Sequence, residues 1–196
     1  MKTLKNFLKN YDLPGSVLLL EGKRIVPEQD IPKLIKLGKI LAEQSEHILF
    51  RSGNAPGADF YFSQGVTEID NSLLHVITPY AGHRQKENKA YSTISLDDIN
   101  LANEPEVVYQ TTNKKNKILV DQYVSGKRDK FSIKAAYLLR DTIKVLGTET
   151  IPPASFAIFY DDLENPKTGG TGHTMEVCRK NSINFINQSI WFNWLI

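Results

Sequence analysis

Apolar residues come in short blocks separated by amphipathic stretches. Residues 16–20 form an apolar run that meets Gly22, Lys23 and Arg24, which predicts a buried strand ending in a tight turn. Asp30 and Pro32 then mark a helix start, and Ile31, Leu34, Ile35, Gly38 and Leu41 recur at helical spacing. The same order repeats. Residues 47–51 predict a second strand, Pro56 suits the first turn of a helix running to about Gly65, and residues 73–78 predict a third strand stopped by Pro79. Ahead of these, residues 1–13 read as a short amphipathic helix with Leu4, Phe7 and Leu8 on one side, closed by Pro14 and Gly15.

The pattern weakens over residues 81–130, which are polar apart from a strand expected at 106–110. Lys114, Lys115 and Lys117, then Lys127, Arg128 and Lys130, flank residues 118–124. Charge runs are usually solvated faces, so this stretch reads as a polar insert or lid, with a nucleic-acid groove as the alternative. Order returns at Ser132, a good N-cap for a helix ending at Gly147. Residues 154–160 are continuously apolar, as in a central parallel strand covered on both faces. A glycine-rich loop at 168–174 leads into a helix ending near Asn181, and residues 183–186 predict a last strand. Alternating strands and helices imply an α/β fold: a Rossmann-like, doubly wound, mostly parallel sheet with helices on both faces. Ligands of such sheets bind beyond the carboxyl ends of the strands.

Composition changes this little. The 196 residues are 41% apolar and 23% charged, ordinary for a globular protein and far from a disordered or membrane-spanning chain. Twenty-four Lys and Arg against twenty-two Asp and Glu leave +2, so the overall charge does not call for a polyanion. One cysteine, Cys178, excludes an internal disulfide, and the run at Val17 is too short for a signal peptide; a cytoplasmic location is the expectation.

Two glycine motifs carry the candidate chemistry. Arg51-Ser52-Gly53-Asn54-Ala55-Pro56-Gly57-Ala58-Asp59 lies between a strand and a helix, where backbone can approach a ligand and a helix N-terminus favours an anion. Asp59 opposes a phosphate there, and reads as a cap or as an acceptor for ribose or base. A plain capped turn explains the glycines alone equally well. Thr168-Gly169-Gly170-Thr171-Gly172-His173-Thr174 suits the cradling of phosphate. Two such loops after parallel strands would meet at one crevice.

Arg140 lies in the apolar stripe of its helix with Ile133, Ala136, Tyr137 and Ile143, where a bare guanidinium is costly. It pairs with a buried carboxylate, snorkels its stem to the edge, or forks onto a ligand phosphate. Glu176, one turn into the last helix, is a hydroxyl acceptor or general base, or simply complements the helix dipole. Of His47, His75, His83 and His173, only His173 is a plausible ligand contact. Their spacing predicts no metal, and no cofactor is expected. Cys178 reads as packed.

Ser52-Gly53-x-Ala55-x-Gly57-x-Asp59, followed about 110 residues later by Gly169-Gly170-Thr171-Gly172, resembles the SLOG superfamily of Rossmann-like proteins. That superfamily takes in SMF/DprA DNA-processing proteins, LOG phosphoribohydrolases and nucleotide-sensing domains of conflict systems and TRPM channels. The chain is most similar to small stand-alone prokaryotic and phage members. Their early strand ends in Gly-Ser-Arg, matched by Gly22-Lys23-Arg24, and their late helix carries Arg-Asn, matched by Arg140-Asp141. Against the LOG loop Pro-Gly-Gly-x-Gly-Thr-x-x-Glu, Thr168 stands for the proline and His173 for the threonine, while Glu176 matches. No basic stripe of the DprA kind is clear, so nucleic acid is not the expected partner.

What the resemblance implies is a nucleotide pocket in one domain spanning 1–196. Gly22, Arg24, Ser52, Gly53, Asn54, Gly57, Asp59, Arg140, Gly169, Gly170, Thr171, Gly172 and His173 are its expected ligand contacts. The ligand is a nucleotide or nucleotide-derived small molecule, sensed or sequestered, in the setting of phage–host conflict. The alternatives are a nucleotide N-glycosidic hydrolase using Glu176 and Asp59 as catalytic carboxylates, and DprA-like nucleic-acid binding. No membrane partner is expected, and a homo-oligomer is left open.

Overall fold

The computed structural model describes residues 3–196, so the first two residues of the expected N-terminal helix lie outside the described residues. Six strands, β1 (Val17–Gly22), β2 (Leu49–Ser52), β3 (Leu74–Thr78), β4 (Ser92–Ser95), β5 (Phe156–Tyr160) and β6 (Phe185–Asn187), form one parallel sheet in the order β4-β3-β2-β1-β5-β6. The helices are α1 (Leu4–Tyr11), α2 (Ile31–Gln44), α3 (Ala58–Thr67), α4 (Pro105–Thr111), α5 (Lys117–Val124), α6 (Ile133–Leu146), α7 (Gly169–Lys180) and α8 (Gln188–Trp191). The chain winds outward from β1 to β4, returns to place β5 on the other side of β1, and ends at β6. This is the doubly wound, Rossmann-like α/β fold the pattern predicts, and its sheet is parallel throughout.

Strand alternation sorts the core. Leu18, Leu20, Phe50, Phe156 and Ile158 point toward α1, α2 and α3 and pack with Phe7, Leu34, Leu37 and Phe62. On the opposite face, Leu19, Ala157 and Phe159 meet Val145, Met175 and Cys178, while Ile77 meets Val107, Val120, Leu139 and Ile143. Cys178 is packed, as expected. Helices α2 and α3 cross closely because Gly38 and Gly65 sit at the contact, where a Cβ on either would strike the other helix's backbone.

Three local expectations are corrected. The strand expected at 106–110 is inside α4: Pro105 starts the helix, Val107 and Thr111 bury one turn apart, and Gln110 donates to Glu106 at 2.8 Å. The polar segment 81–130 contains a strand, β4, whose pattern is weak because it is an edge with a single partner, β3. Ser132 holds the N-cap position of α6 as expected, but its side chain makes no capping bond: its hydroxyl donates to the Lys127 carbonyl at 2.9 Å and accepts from the Asp129 N–H at 3.0 Å. Gly147, at φ 70°, does end that helix. No helix among the described residues is long and apolar enough to cross a membrane.

Candidate functional site

Between β1 and β5 the strand order reverses direction, and beyond their carboxyl ends lies a cavity of about 410 Å³. Its walls are Glu21, Gly22, Lys23 and Arg24 from the end of β1, Tyr137, Arg140 and Asp141 from α6, Asp161 after β5, and Gly169, Gly170 and Thr171 from α7. Both glycine motifs reach this place, Gly169 to Thr171 directly and the 51–59 motif through Ala55 and Asp59.

Asp59 acts as a clasp. Its two carboxylate oxygens accept from the backbone N–H groups of Gly22, at 3.1 Å, and Gly53, at 3.2 Å, and so tie the ends of β1 and β2 together. Both loops press against each other at Gly57, where φ is +85° and a Cβ would collide with the Arg24 backbone. Only glycine fits there. With its oxygens engaged and the residue 1% exposed, Asp59 is a positioning group more than a free acid.

The expected phosphate-cradling loop is the first turn of α7. Gly172 N–H makes the first helical bond, to Thr168 O at 3.0 Å, leaving the N–H groups of Gly169, Gly170 and Thr171 ahead of it at the crevice. Those groups and the helix dipole favour an anion. A Cβ on Gly170 would meet only Asp141 Oδ2, at 3.1 Å, so this glycine holds open space.

Beneath the crevice runs a buried charge network. Lys144 Nζ donates to Glu21 Oε2 at 2.6 Å and contacts Asp141 Oδ1 at 2.9 Å; Thr174 donates to Glu21 Oε1 at 2.9 Å. Arg140 donates to the Gly53 carbonyl at 2.6 Å, and its Nε lies 2.9 Å from Asp141 Oδ1 in ion-pair contact without hydrogen-bond alignment. Burial works against every charge here. For Arg140 and Lys144 the neighbouring carboxylates outweigh it and raise both groups above their usual values, and the two cations likewise hold Asp141 low. Glu21 goes the other way. Burial, with Asp141 and Asp59 nearby, pushes it up to about 7 against the pull of Lys144. Three carboxylates face two cations, and the excess of negative charge falls on Glu21.

Positive charge that is not consumed sits at the rim. Burial and the nearness of Arg140, Arg84 and Arg24 press His83 down to about 4, which reports a crowded cationic edge. Tyr80, His83 and Tyr137 form an edge-to-face aromatic cluster beside it. Lys23 lies 5.6 Å from the Tyr160 ring.

Several expected contacts have other work. Glu176 is on the outer side of α7, paired with Arg179 at 2.7 Å, and does not line the crevice. Helical phase turns it outward. His173 faces α6 and hydrogen-bonds Thr142 at 3.0 Å. Asn54 donates to the carbonyls of His83 and Arg84, Ser52 is buried under the sheet's end, and Gly172 packs against the Lys167 backbone. Arg140 lines the crevice, yet its charge is committed to Asp141, the buried carboxylate of the ion-pair reading. Sequence reasoning missed Glu21 and Lys144 as site groups. Lys144 follows Arg140 by one turn on the same stripe, a signal that two buried cations share acidic partners.

No family model matches the chain, and no curated protein matches it. A solved structure of DNA processing protein A from Helicobacter pylori, described for its single-stranded DNA binding mode, is similar over 91% of this chain and 67% of its own, with 18% identity and a TM-score of 0.50. At that identity the likeness bears on the fold. It also overturns the expectation that nucleic acid is an improbable partner: near-zero overall charge and the want of a clear basic stripe were the grounds for it, and a protein of this fold is described for its single-stranded DNA binding.

Proposed function

We propose that the crevice binds a phosphate-bearing nucleotide unit presented by single-stranded nucleic acid. One observation carries the reading: the open N-terminus of α7, with Gly169 to Thr171, faces Lys23 and Arg24 across the switch-point cavity. Phosphate fits between the free N–H groups and the two cations, and a base can lie against Tyr137. The reading takes residues 1–196 as one Rossmann-like unit, with the 81–130 segment built onto it.

A volume of about 410 Å³ suits one nucleotide, so a free nucleotide is the competing occupant. The sensing or sequestering role requires only that affinity. Hydrolysis loses one of its two expected carboxylates, because Glu176 stands outside the crevice. The test is fluorescence anisotropy with a labelled oligo-dT strand, competed by duplex DNA and by dTMP, over a range of salt. Single-strand affinity that falls with salt and survives excess dTMP supports the proposal. Displacement by dTMP at low concentration assigns the site to a free nucleotide, and absence of binding to either removes the reading.

A further inference from the structure

A second cavity, of about 310 Å³, lies on the face of the sheet that carries α6, toward the amino ends of the strands and away from the crevice. Its floor follows from register. Arg51 of β2 is paired with His75 of β3, and His75 with Ser92 of β4, so the three project from the same face. Val17, Leu49, Ile77 and Ile94 supply apolar surface around them. One wall is the turn at 147–152, held by the Thr148 N–H to Ile151 O bond at 2.9 Å and by the positive φ of Gly147.

Arg51 is the feature that folding alone leaves unexplained. It is 2% exposed, no carboxylate of the described residues pairs with it, and its Nε–H has no partner. Its one hydrogen bond runs to the Lys144 carbonyl in the last turn of α6, at 3.0 Å, where the helix dipole offers partial compensation. Burial, with no anion to oppose it, lowers Arg51 to about 10, and both burial and Arg51 lower His75. A buried guanidinium without a counter-ion is costly, and buried charges are ordinarily paired.

We infer that this cavity binds a small carboxylate with an apolar body, its carboxylate taken by Arg51 and its body lying on Leu49, Ile77 and Ile94. Arginine's planar fork matches a carboxylate, the walls exclude water from the remainder, and the size falls in the usual range of ligand cavities, about 300–1,000 Å³. A bare inorganic anion would leave the apolar lining unfilled.

The test uses hexanoate and benzoate as probes, hexanol as the uncharged counterpart and inorganic phosphate as the bare anion. Binding is read by calorimetry and by the imidazole proton shifts of His75. Expected is saturable carboxylate binding at least about tenfold tighter than hexanol or phosphate, lost by about tenfold in Arg51→Met. A second variant, Ser92→Trp at the half-exposed edge strand, fills the cavity from its rim and should block binding while leaving Arg51 in place. No saturable binding of either carboxylate up to roughly 10 mM overturns the inference. So does equal affinity in Arg51→Met, or phosphate binding as tightly as hexanoate.

Discussion

Arg51 and Arg140 are both buried, at 2% and 5% exposure, and both reach a backbone carbonyl, yet they stand in opposite electrostatic settings. Arg140 lies among Asp141, Asp59 and Glu21, which raise it; Arg51 meets only burial, which lowers it to about 10. The difference separates two uses of a buried cation. At the crevice, the protein supplies its own counter-charge, so Arg140 builds the floor that holds Gly53 in place, and in the proposed reading the phosphate would fall to α7, Lys23 and Arg24. In the second cavity no carboxylate of the described residues supplies the counter-charge, and the inferred ligand carboxylate would supply it.

The comparison breaks most visibly at Asp141. Asp141→Ala leaves Arg140 and Lys144 buried with one fewer acid, and should cost about 3–5 kcal/mol, the usual effect of removing one partner from a buried ion network. Urea denaturation measures it; a change below about 1 kcal/mol would mean that solvent, not Asp141, compensates these cations.

Glu21 sharpens the same contrast through pH. Its native value, raised to about 7 from 4.5, lies above the unfolded one, so the folded state holds the proton more tightly. That contribution to stability is complete below about 4.5 and is lost as pH rises through 7, on the order of 3 kcal/mol in all. Glu21→Gln cannot ionise and should flatten this limb in urea titrations at pH ~5 and ~8. A limb unchanged by the substitution would place its origin elsewhere.

At the mouth of the crevice, Gly170→Val adds bulk toward Asp141 Oδ2 and into the space a ligand would use. Oligo-dT affinity should fall by about tenfold or more, about 1.4 kcal/mol, with the thermal midpoint little changed. Unchanged affinity in a folded variant would take the nucleotide unit out of this crevice.

How much of this was legible in the sequence depends on whether a residue's role is local. Outside residues 81–130, strand and helix order was readable because apolar runs and helical periodicity are local, and both glycine motifs reach one sheet edge because parallel topology forces it. Helical phase alone would have turned Glu176 away from the crevice, since only the first turn of α7 faces it. What could not be read was pairing across the fold. Asp59 is a clasp only because Gly22 and Gly53 come within reach of it, and Glu21 is a site group only because Lys144, 123 positions away, meets it. Arg51 sits inside a glycine motif and draws attention as part of a phosphate loop, although its side chain joins the cavity toward the amino ends of the strands, away from the crevice.

The smallest expected effect is the most discriminating. Removing Asp141 strands two charges, whereas Arg51→Met removes a charge that no carboxylate of the described residues pairs with and substitutes a flexible apolar side chain of similar length among Leu49, Ile77 and Ile94. Replacing an isolated buried ion by an apolar group is often neutral or stabilising, because the desolvation cost goes with it. Against this stands the bond to the Lys144 carbonyl, whose loss from the end of α6 costs about 1 kcal/mol. The two nearly cancel, and the variant should fall within about 1 kcal/mol of wild type in urea denaturation. A loss as large as that of Asp141→Ala would show that Arg51 is held by compensation the chain already contains, and the two arginines would then belong to one class.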